Sequence, residues 1–149
     1  MKRDIAFDQV PRLALAPVSA GSNAAVVGIT IDRKGFQNLL MVFGVGVVAG
    51  DIAAALKIQH GDASNASDMD DLDNGGWAVS TTAGADATIY SASFDLSGAK
   101  RYVRIHATIS GVDSNAALIC AWAQLGSKST PVVAADLTNH SGFFQPYDD

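Results

Sequence analysis

From Arg101 to Ile109 the chain alternates without a break: Val103, Ile105, Ala107 and Ile109 fall on one side of an extended backbone, and Tyr102, Arg104, His106 and Thr108 on the other. A period of two is the mark of a strand with one face in a core and the other toward water. A helix would spread the same apolar residues around its circumference. Such a strand cannot stand alone, because its apolar face needs a second layer to cover it. The question is what the rest of the chain supplies as cover.

It supplies further strands and turns. All fifteen acidic residues are Asp, and Glu is absent. Glu supports helices, whereas Asp competes for backbone hydrogen bonds and favours caps and turns. Ala24–Ile31 is β-branched and closes on the turn Asp32-Arg33-Lys34-Gly35. Phe36–Val48 is almost continuously apolar, as expected of a strand covered on both faces, with Gly44 and Gly46 marking a bulge or a close approach. Ile52–His60 is mixed: Ala53-Ala54-Ala55 favours helix, while the alternation of Leu56, Ile58 and His60 with Lys57 and Gln59 predicts strand from Leu56 onward. Gly61–Gly76 is polar and Asp-rich, which predicts a long surface loop with Trp77 anchoring its end. Ala87–Leu96 predicts a strand whose apolar face is Thr88, Tyr90, Ala92, Phe94 and Leu96. Ala116–Leu125 predicts a last apolar strand, with Cys120 as a buried, inert thiol. Six or seven short strands without intervening helices predict an all-β fold, a single β-sandwich of jelly-roll type. The sandwich is expected over residues 23–129, with extended arms at 1–22, where Pro11 and Pro17 suit an arm or an edge strand better than a helix, and at 130–149, which hold Pro131 and Pro146.

Several function classes are disfavoured by the same residues. The net charge of −5 comes from Asp62, Asp68, Asp70, Asp71 and Asp73, which share one stretch without a Lys or Arg. Affinity for nucleic acid rests on basic residues neutralising phosphates, so no nucleic-acid partner is expected. The longest apolar run, Leu39–Val48, falls well short of the roughly 20 residues that cross a bilayer, so no membrane partner is expected either. Met1-Lys2-Arg3 is followed by no apolar signal region, which predicts synthesis in the cytoplasm. His60, His106 and His140 stand far apart, and there is no P-loop, nucleophile elbow or dinucleotide fingerprint. The expectation is a protein that is not an enzyme, with no cofactor. The best candidates for chemistry are Asp68, Asp70, Asp71, Asp73 and Asn74, whose oxygens suit calcium. Counting Asp68 as the first ligand of a calcium loop, however, puts Leu72 at the fifth position and Asp73 where the glycine belongs. The stretch therefore reads as a solvated loop, with calcium binding left open.

What stands out is the apolar content of the two arms. Phe7, Leu13 and Leu15 near the start, and Phe143, Phe144 and Tyr147 near the end, lie on segments expected to have no core of their own. Such groups need a surface to cover them, whether the chain's own sandwich or a partner. A further pattern runs over Gly28–Val132: Ile31-Asp32-Arg33-Lys34-Gly35-Phe36 before an apolar strand, Leu56-Lys57-Ile58-Gln59-His60-Gly61-Asp62 followed by Ser67-Asp68, then Asp95-Leu96-Ser97-Gly98-Ala99-Lys100-Arg101-Tyr102-Val103-Arg104, and Leu125-Gly126. This resembles a family of small proteins found near the capsid genes of tailed bacteriophages, some of which are similar to jelly-roll cement proteins on the outside of the head. The resemblance implies a structural virion protein on the capsid surface that binds the major capsid protein, forms a homo-oligomer (a dimer or trimer) and carries no active site. In that setting Arg101 and Arg104 are candidates for pairing with capsid carboxylates. The alternative is a glycan- or receptor-binding β-sandwich module of a phage head or tail, with Trp77, Tyr90 and Tyr102 to stack on sugar rings.

Overall fold

The computed structural model describes residues 9–21, 24–48, 50–82, 84–111 and 117–126. Nine strands account for most of them: β1 Gln9–Ala20, β2 Ala25–Val27, β3 Ile31–Asp32, β4 Asn38–Val45, β5 Ile52–Gly61, β6 Asp70–Thr81, β7 Thr88–Asp95, β8 Tyr102–Ser110 and β9 Ala117–Gly126. The pairing is nested: β5 with β6, β4 with β7, β2 and β3 with β8, and β1 with β9, all antiparallel. Two lateral pairings, β4 with β9 and β5 with β8, then fold this long hairpin into two sheets, β1-β9-β4-β7 and β2-β8-β5-β6, with β3 beside β2 on β8. Nested hairpins rolled into two facing sheets are a jelly roll, as the sequence predicts.

The core is the set of inward residues. Val103, Ile105, Ala107 and Ile109 of β8 are fully buried, and they face Leu39, Met41 and Phe43 of β4 and Ile119, Ala121, Ala123 and Leu125 of β9 within one cluster. Among the described residues no charged or polar residue is buried. Burial of each large side chain here stabilises the fold by about 1.5–3 kcal/mol relative to exposure.

The two lateral sides of the sandwich differ. On one side the Ala24–Ile31 run, expected as one strand, breaks at Gly28, where it reaches to the edge of the other sheet before rejoining β8 as β3. The Gly28 N–H donates to the Ile105 carbonyl at 2.8 Å, and the Ile29 N–H to the Ala14 carbonyl at 2.7 Å. A side chain at residue 28 would meet the Ala14 oxygen at 2.4 Å and Ile105 Cγ2 at 2.5 Å, so only glycine lets the backbone pass so close. On the other side, β6 and β7 belong to different sheets and are linked mainly by side chains: Trp77 and Phe94 rings lie 5.1 Å apart, and the Tyr90 hydroxyl donates to the Ser80 carbonyl at 2.6 Å.

Four further expectations are corrected. Gln9–Ala20, placed in an N-terminal arm, is strand β1 of the sandwich. Its two prolines are tolerated because it is an edge strand, and its register against β9 shifts twice. The strand expected from Leu56 starts at Ile52, since Ile52, Ala54, Leu56 and Ile58 alternate into the core and override the helical preference of the alanines. The loop expected over Gly61–Gly76 ends early: Asp70–Thr81 pairs with β5 around an irregularity in which residues 72–75 stand opposite Ile58 alone. Cys120 is not in the core. It sits half-buried on the outer face of β9, with its sulfur beside Gly44. The C-terminal arm, 130–149, lies outside the described residues, as does 1–8 of the N-terminal one.

Candidate partner-binding surface

Alternation places Leu118, Cys120, Trp122 and Gln124 on the outside of β9, because Ala117, Ile119, Ala121, Ala123 and Leu125 point in. Register sets Trp122 between Leu13 on β1 and Val42 on β4, and Cys120 beside Gly44, whose other neighbour is Ile89 on β7. Leu40, beside Gln124, continues the surface toward Asn38. Leu13 is 53% exposed, Leu118 55%, Ile89 65% and Trp122 40%. Among the outward residues of β4, β7 and β9 the one charge is Asp95, at the far end. Leu13, Leu118, Trp122 and Ile89 thus form an apolar, nearly uncharged patch on this sheet face, bordered by Ser91 and Ser93 of β7, the kind of surface that marks an interaction site.

The outer face of the opposite sheet is different. Arg104 Nε donates to Gln59 Oε1 at 2.9 Å, Gln59 Nε2 to Asp71 Oδ1 at 3.0 Å, and Lys57 Nζ to Asp71 Oδ2 at 2.5 Å. The hydrogen bonds from Lys57 and then Gln59 hold the Asp71 carboxyl below its ordinary pKa. At one end Arg101 bridges Asp32, with Nη2 2.8 Å from Oδ2, and its guanidinium lies 5.1 Å from the Tyr102 ring centre. Burial pushes the Asp32 pKa up, but the Arg101 hydrogen bond, the Lys34 N–H and the two positive charges outweigh it, and the net shift is downward.

The sequence-predicted contacts are therefore dispersed. Leu13 is exposed on the apolar face, while Leu15, two residues later, turns into the core across a register shift and is buried. Arg101 and Arg104 are on the polar sheet, each already engaged within the chain. Phe7, Phe143, Phe144 and Tyr147 lie outside the described residues. Leu118, Trp122 and Ile89 were not singled out from sequence. Their signal was the apolarity of both faces of Ala116–Leu125, which reads as burial until the fold shows one face uncovered.

The corner where the chain enters and leaves belongs to the same sheet. Gln9, the first described residue of β1, pairs directly with Gly126, the last of β9, and the Gln124 amide donates to the Gln9 side-chain carbonyl. Gln9 and Gly126 thus lie side by side at one end of the apolar face.

Three carboxylates of the acidic stretch, Asp68, Asp70 and Asp71, are held by internal contacts. Asp68 accepts the N–H groups of Asp62 and Ala63 at 2.8 and 3.0 Å, and these lower its pKa. Asp70 pairs with Lys100 at 3.2 Å. Between this region and β7 a cleft of about 380 Å³ is bordered by His60, Leu72, Asp73, Asn74, Phe94 and Asp95. The aromatics that would serve a glycan are engaged: Trp77 against Phe94, Tyr90 with Ser80, Tyr102 beside Arg101.

The fold and this surface define a jelly-roll module with one dry and one polar sheet face. No protein-family model matches the chain, and no curated protein sequence does. Similar solved structures include the PBSX exported protein XepA, at a TM-score of 0.53 and 17% identity over 94% of this chain and 43% of that one. They also include a subunit of Bacillus endospore appendages, a novel family of disulfide-linked pili (TM-score 0.42, 10% identity, 83% of this chain and 91% of that one). A third is the Clostridium thermocellum xylanase 10B CBM22-1–GH10 pair complexed with xylohexaose (0.41, 14% identity, 87% and 28%). The chain spans less than half the length of XepA. At these identities the likeness speaks to the fold alone.

Proposed function

We propose that this protein is a structural component of a virus particle that binds the outside of a tailed-phage capsid and cements neighbouring major capsid subunits. The observation that carries the reading is the nearly uncharged apolar patch on the outer face of one sheet, at one end of which the first and last described residues, Gln9 and Gly126, pair. A rigid body that presents a dry face can pack that face against its neighbours. Four strands about 4.8 Å apart and some eight residues long offer roughly 500 Å² of sheet face, below the ~800 Å² per partner of a stable interface. Segments carrying Phe143, Phe144 and Tyr147 supply the remainder. The role is one of contact rather than catalysis: packaged DNA presses outward, and each bridge adds interactions that must break before the shell does. Homo-oligomers, dimeric or trimeric, on the capsid surface fit the same reading.

The test is occupancy on purified heads. The wild-type chain is expected to co-purify with the major capsid protein in fixed ratio. Deleting Thr138–Asp149, or substituting Trp122→Glu, is expected to lower that ratio at least about tenfold, as the loss of ~1.4 kcal/mol or more of contact requires, while the β-sheet circular dichroism stays unchanged. Unaltered occupancy in both variants would overturn the proposal.

A further inference from the structure

β6 and β7 belong to different sheets, and the gap between them is the cleft of about 380 Å³, within the size range of small-molecule sites. Three elements supply its polar groups. On the β6 side, the irregularity opposite Ile58 leaves Asp73 and Asn74 out of the strand ladder, with Asn74 in the left-handed region at φ 57°. Neither side chain has a hydrogen-bond or ionic partner among the described residues. On the β7 side, Asp95 accepts the Ser97 N–H at 2.8 Å and the Ser97 hydroxyl at 3.0 Å, contacts that hold its carboxyl below its ordinary pKa and keep it an acceptor. From β5, His60 accepts the Lys100 N–H on Nδ1 at 3.1 Å, so the neutral ring carries its hydrogen on Nε2. Leu72 and Phe94 give the cleft its apolar surface, and Phe94 is steadied by Trp77, whose ring centre is 5.1 Å away.

These groups define what can occupy the cleft. Asp73 and Asp95 call for donors, the His60 Nε2–H and the Asn74 amide nitrogen call for acceptors, and Phe94 with Leu72 calls for an apolar face. An ammonium or guanidinium group has donors alone, and a phosphate or carboxylate would be repelled by the two Asp side chains. A metal ion is too small a target, because among the described residues no His, Cys and Asp side chains gather closely enough to hold one. A hydroxyl both donates and accepts, and a sugar ring carries several hydroxyls around a face of C–H groups. We infer that the cleft binds a neutral sugar ring, laid with its C–H face on Phe94 and with its hydroxyls bonded to Asp73, Asn74, Asp95 and His60. The inference goes beyond the capsid reading and does not depend on it: none of Leu13, Ile89, Leu118 and Trp122 borders the cleft.

The test is a titration of the full-length protein, followed by amide chemical shifts, with the methyl glycosides of glucose, galactose, mannose and N-acetylglucosamine. A single ring binds with a Kd on the order of mM, so each is taken to about 50 mM. At least one glycoside is expected to shift the amides of Leu72–Asn74 and Phe94–Ser97 saturably. Asp73→Ala and Asn74→Gly are expected to weaken that binding at least about fivefold, as the loss of one hydrogen bond requires, with the unfolding midpoint unchanged. Both positions are exposed on an edge strand, and glycine takes the backbone of residue 74 without strain. Trp122→Glu, on the outer apolar patch, is expected to bind as wild type. Absence of any saturable shift at the cleft amides would overturn the inference, as would undiminished binding in both cleft variants. A shift produced by argininamide and by none of the glycosides would also overturn it, and would assign the cleft to a cation.

Discussion

Gly28→Ala is the substitution that should cost this fold most for the fewest atoms. The added methyl would stand 2.4 Å from the Ala14 carbonyl oxygen and 2.5 Å from Ile105 Cγ2. The first is backbone of β1 and cannot rotate away, so the crossing segment must shift, and with it the two hydrogen bonds that join the sheets at that point. Overpacking of this kind costs about 1–3 kcal/mol, and weakening two hydrogen bonds adds about 0.5–1.5 kcal/mol each. Alanine restricts the unfolded chain and returns about 0.4–1 kcal/mol. The net loss is about 1–5 kcal/mol against a total stability on the order of 5–15 kcal/mol, which lowers Tm by roughly 3–15 °C at this chain length. The assay is urea and thermal unfolding followed by circular dichroism, with Gly98→Ala as the matched control: a Cβ at residue 98 meets no atom within 4 Å. The control should fall within about 1 kcal/mol of wild type. A Gly28→Ala protein as stable as the control would refute the claim that this crossing holds the two sheets together.

Acid should weaken the fold partly through Asp32. Its folded pKa is depressed, so its contribution is present above the ordinary carboxylate range and is lost as pH falls through the lower, folded value. Asp32→Asn should flatten the acid limb of the urea midpoint between pH 5 and pH 2, and an identical limb in both proteins would exclude Asp32 as a contributor. Asp68→Ala should speed hydrogen exchange at the amides of Asp62 and Ala63, which Asp68 holds, while leaving the global unfolding midpoint in place. Unchanged exchange there would mean that the loop is held by other contacts. Ile105→Ala, at a position with no exposure in the centre of β8, should cost about 2–5 kcal/mol in urea unfolding. A loss below 1 kcal/mol would contradict the close packing of that layer.

Legibility from sequence followed the physics of each segment. β7 and β8 were readable in full, because one face of each is apolar and the other is not, and Val103, Ile105, Ala107 and Ile109 are buried as their spacing predicts. β6 was hidden because Asp70-Asp71-Leu72-Asp73-Asn74-Gly75 has the composition of a turn. Only in the folded chain do Lys57, Gln59 and Lys100 arrive from β5 and the β7–β8 connection to donate to those carboxylates at a sheet edge. The prolines of β1 fit an arm and an edge strand alike, because they forbid only a central strand, so sequence does not separate the two. Cys120 was assigned to the core for the reason that Trp122 was overlooked. A run apolar on both faces looks buried on both, and nothing local reveals that the second layer covers only one of them. Of the candidate partner contacts, Leu13 reaches the exposed face and Leu15 does not, since two bulges between β1 and β9 turn neighbouring residues to opposite sides.

The contrast between the two outer faces argues that the apolar one serves contact and not folding. The polar sheet shows what this chain does where only water is met: Lys57, Gln59, Asp71 and Arg104 form a connected surface of hydrogen bonds and charge. Nothing in the jelly roll prevents the same treatment of β9, whose outward positions contribute little to the core cluster that Ile119, Ala121, Ala123 and Leu125 complete from the other face. Leu118 and Trp122 at more than a third exposure, together with Leu13 and Ile89, therefore leave free energy of burial unused in the isolated chain and add a hazard of association. Burying such a face recovers about 25 cal/mol for each Å² of apolar surface removed from water. A partner that covers it gains that energy without any rearrangement of the sandwich, whereas a partner of the polar sheet must first break the bonds of Arg104 and Asp71. On the capsid reading proposed above, the docked neighbour would therefore cover the dry sheet, at one end of which Gln9 pairs with Gly126.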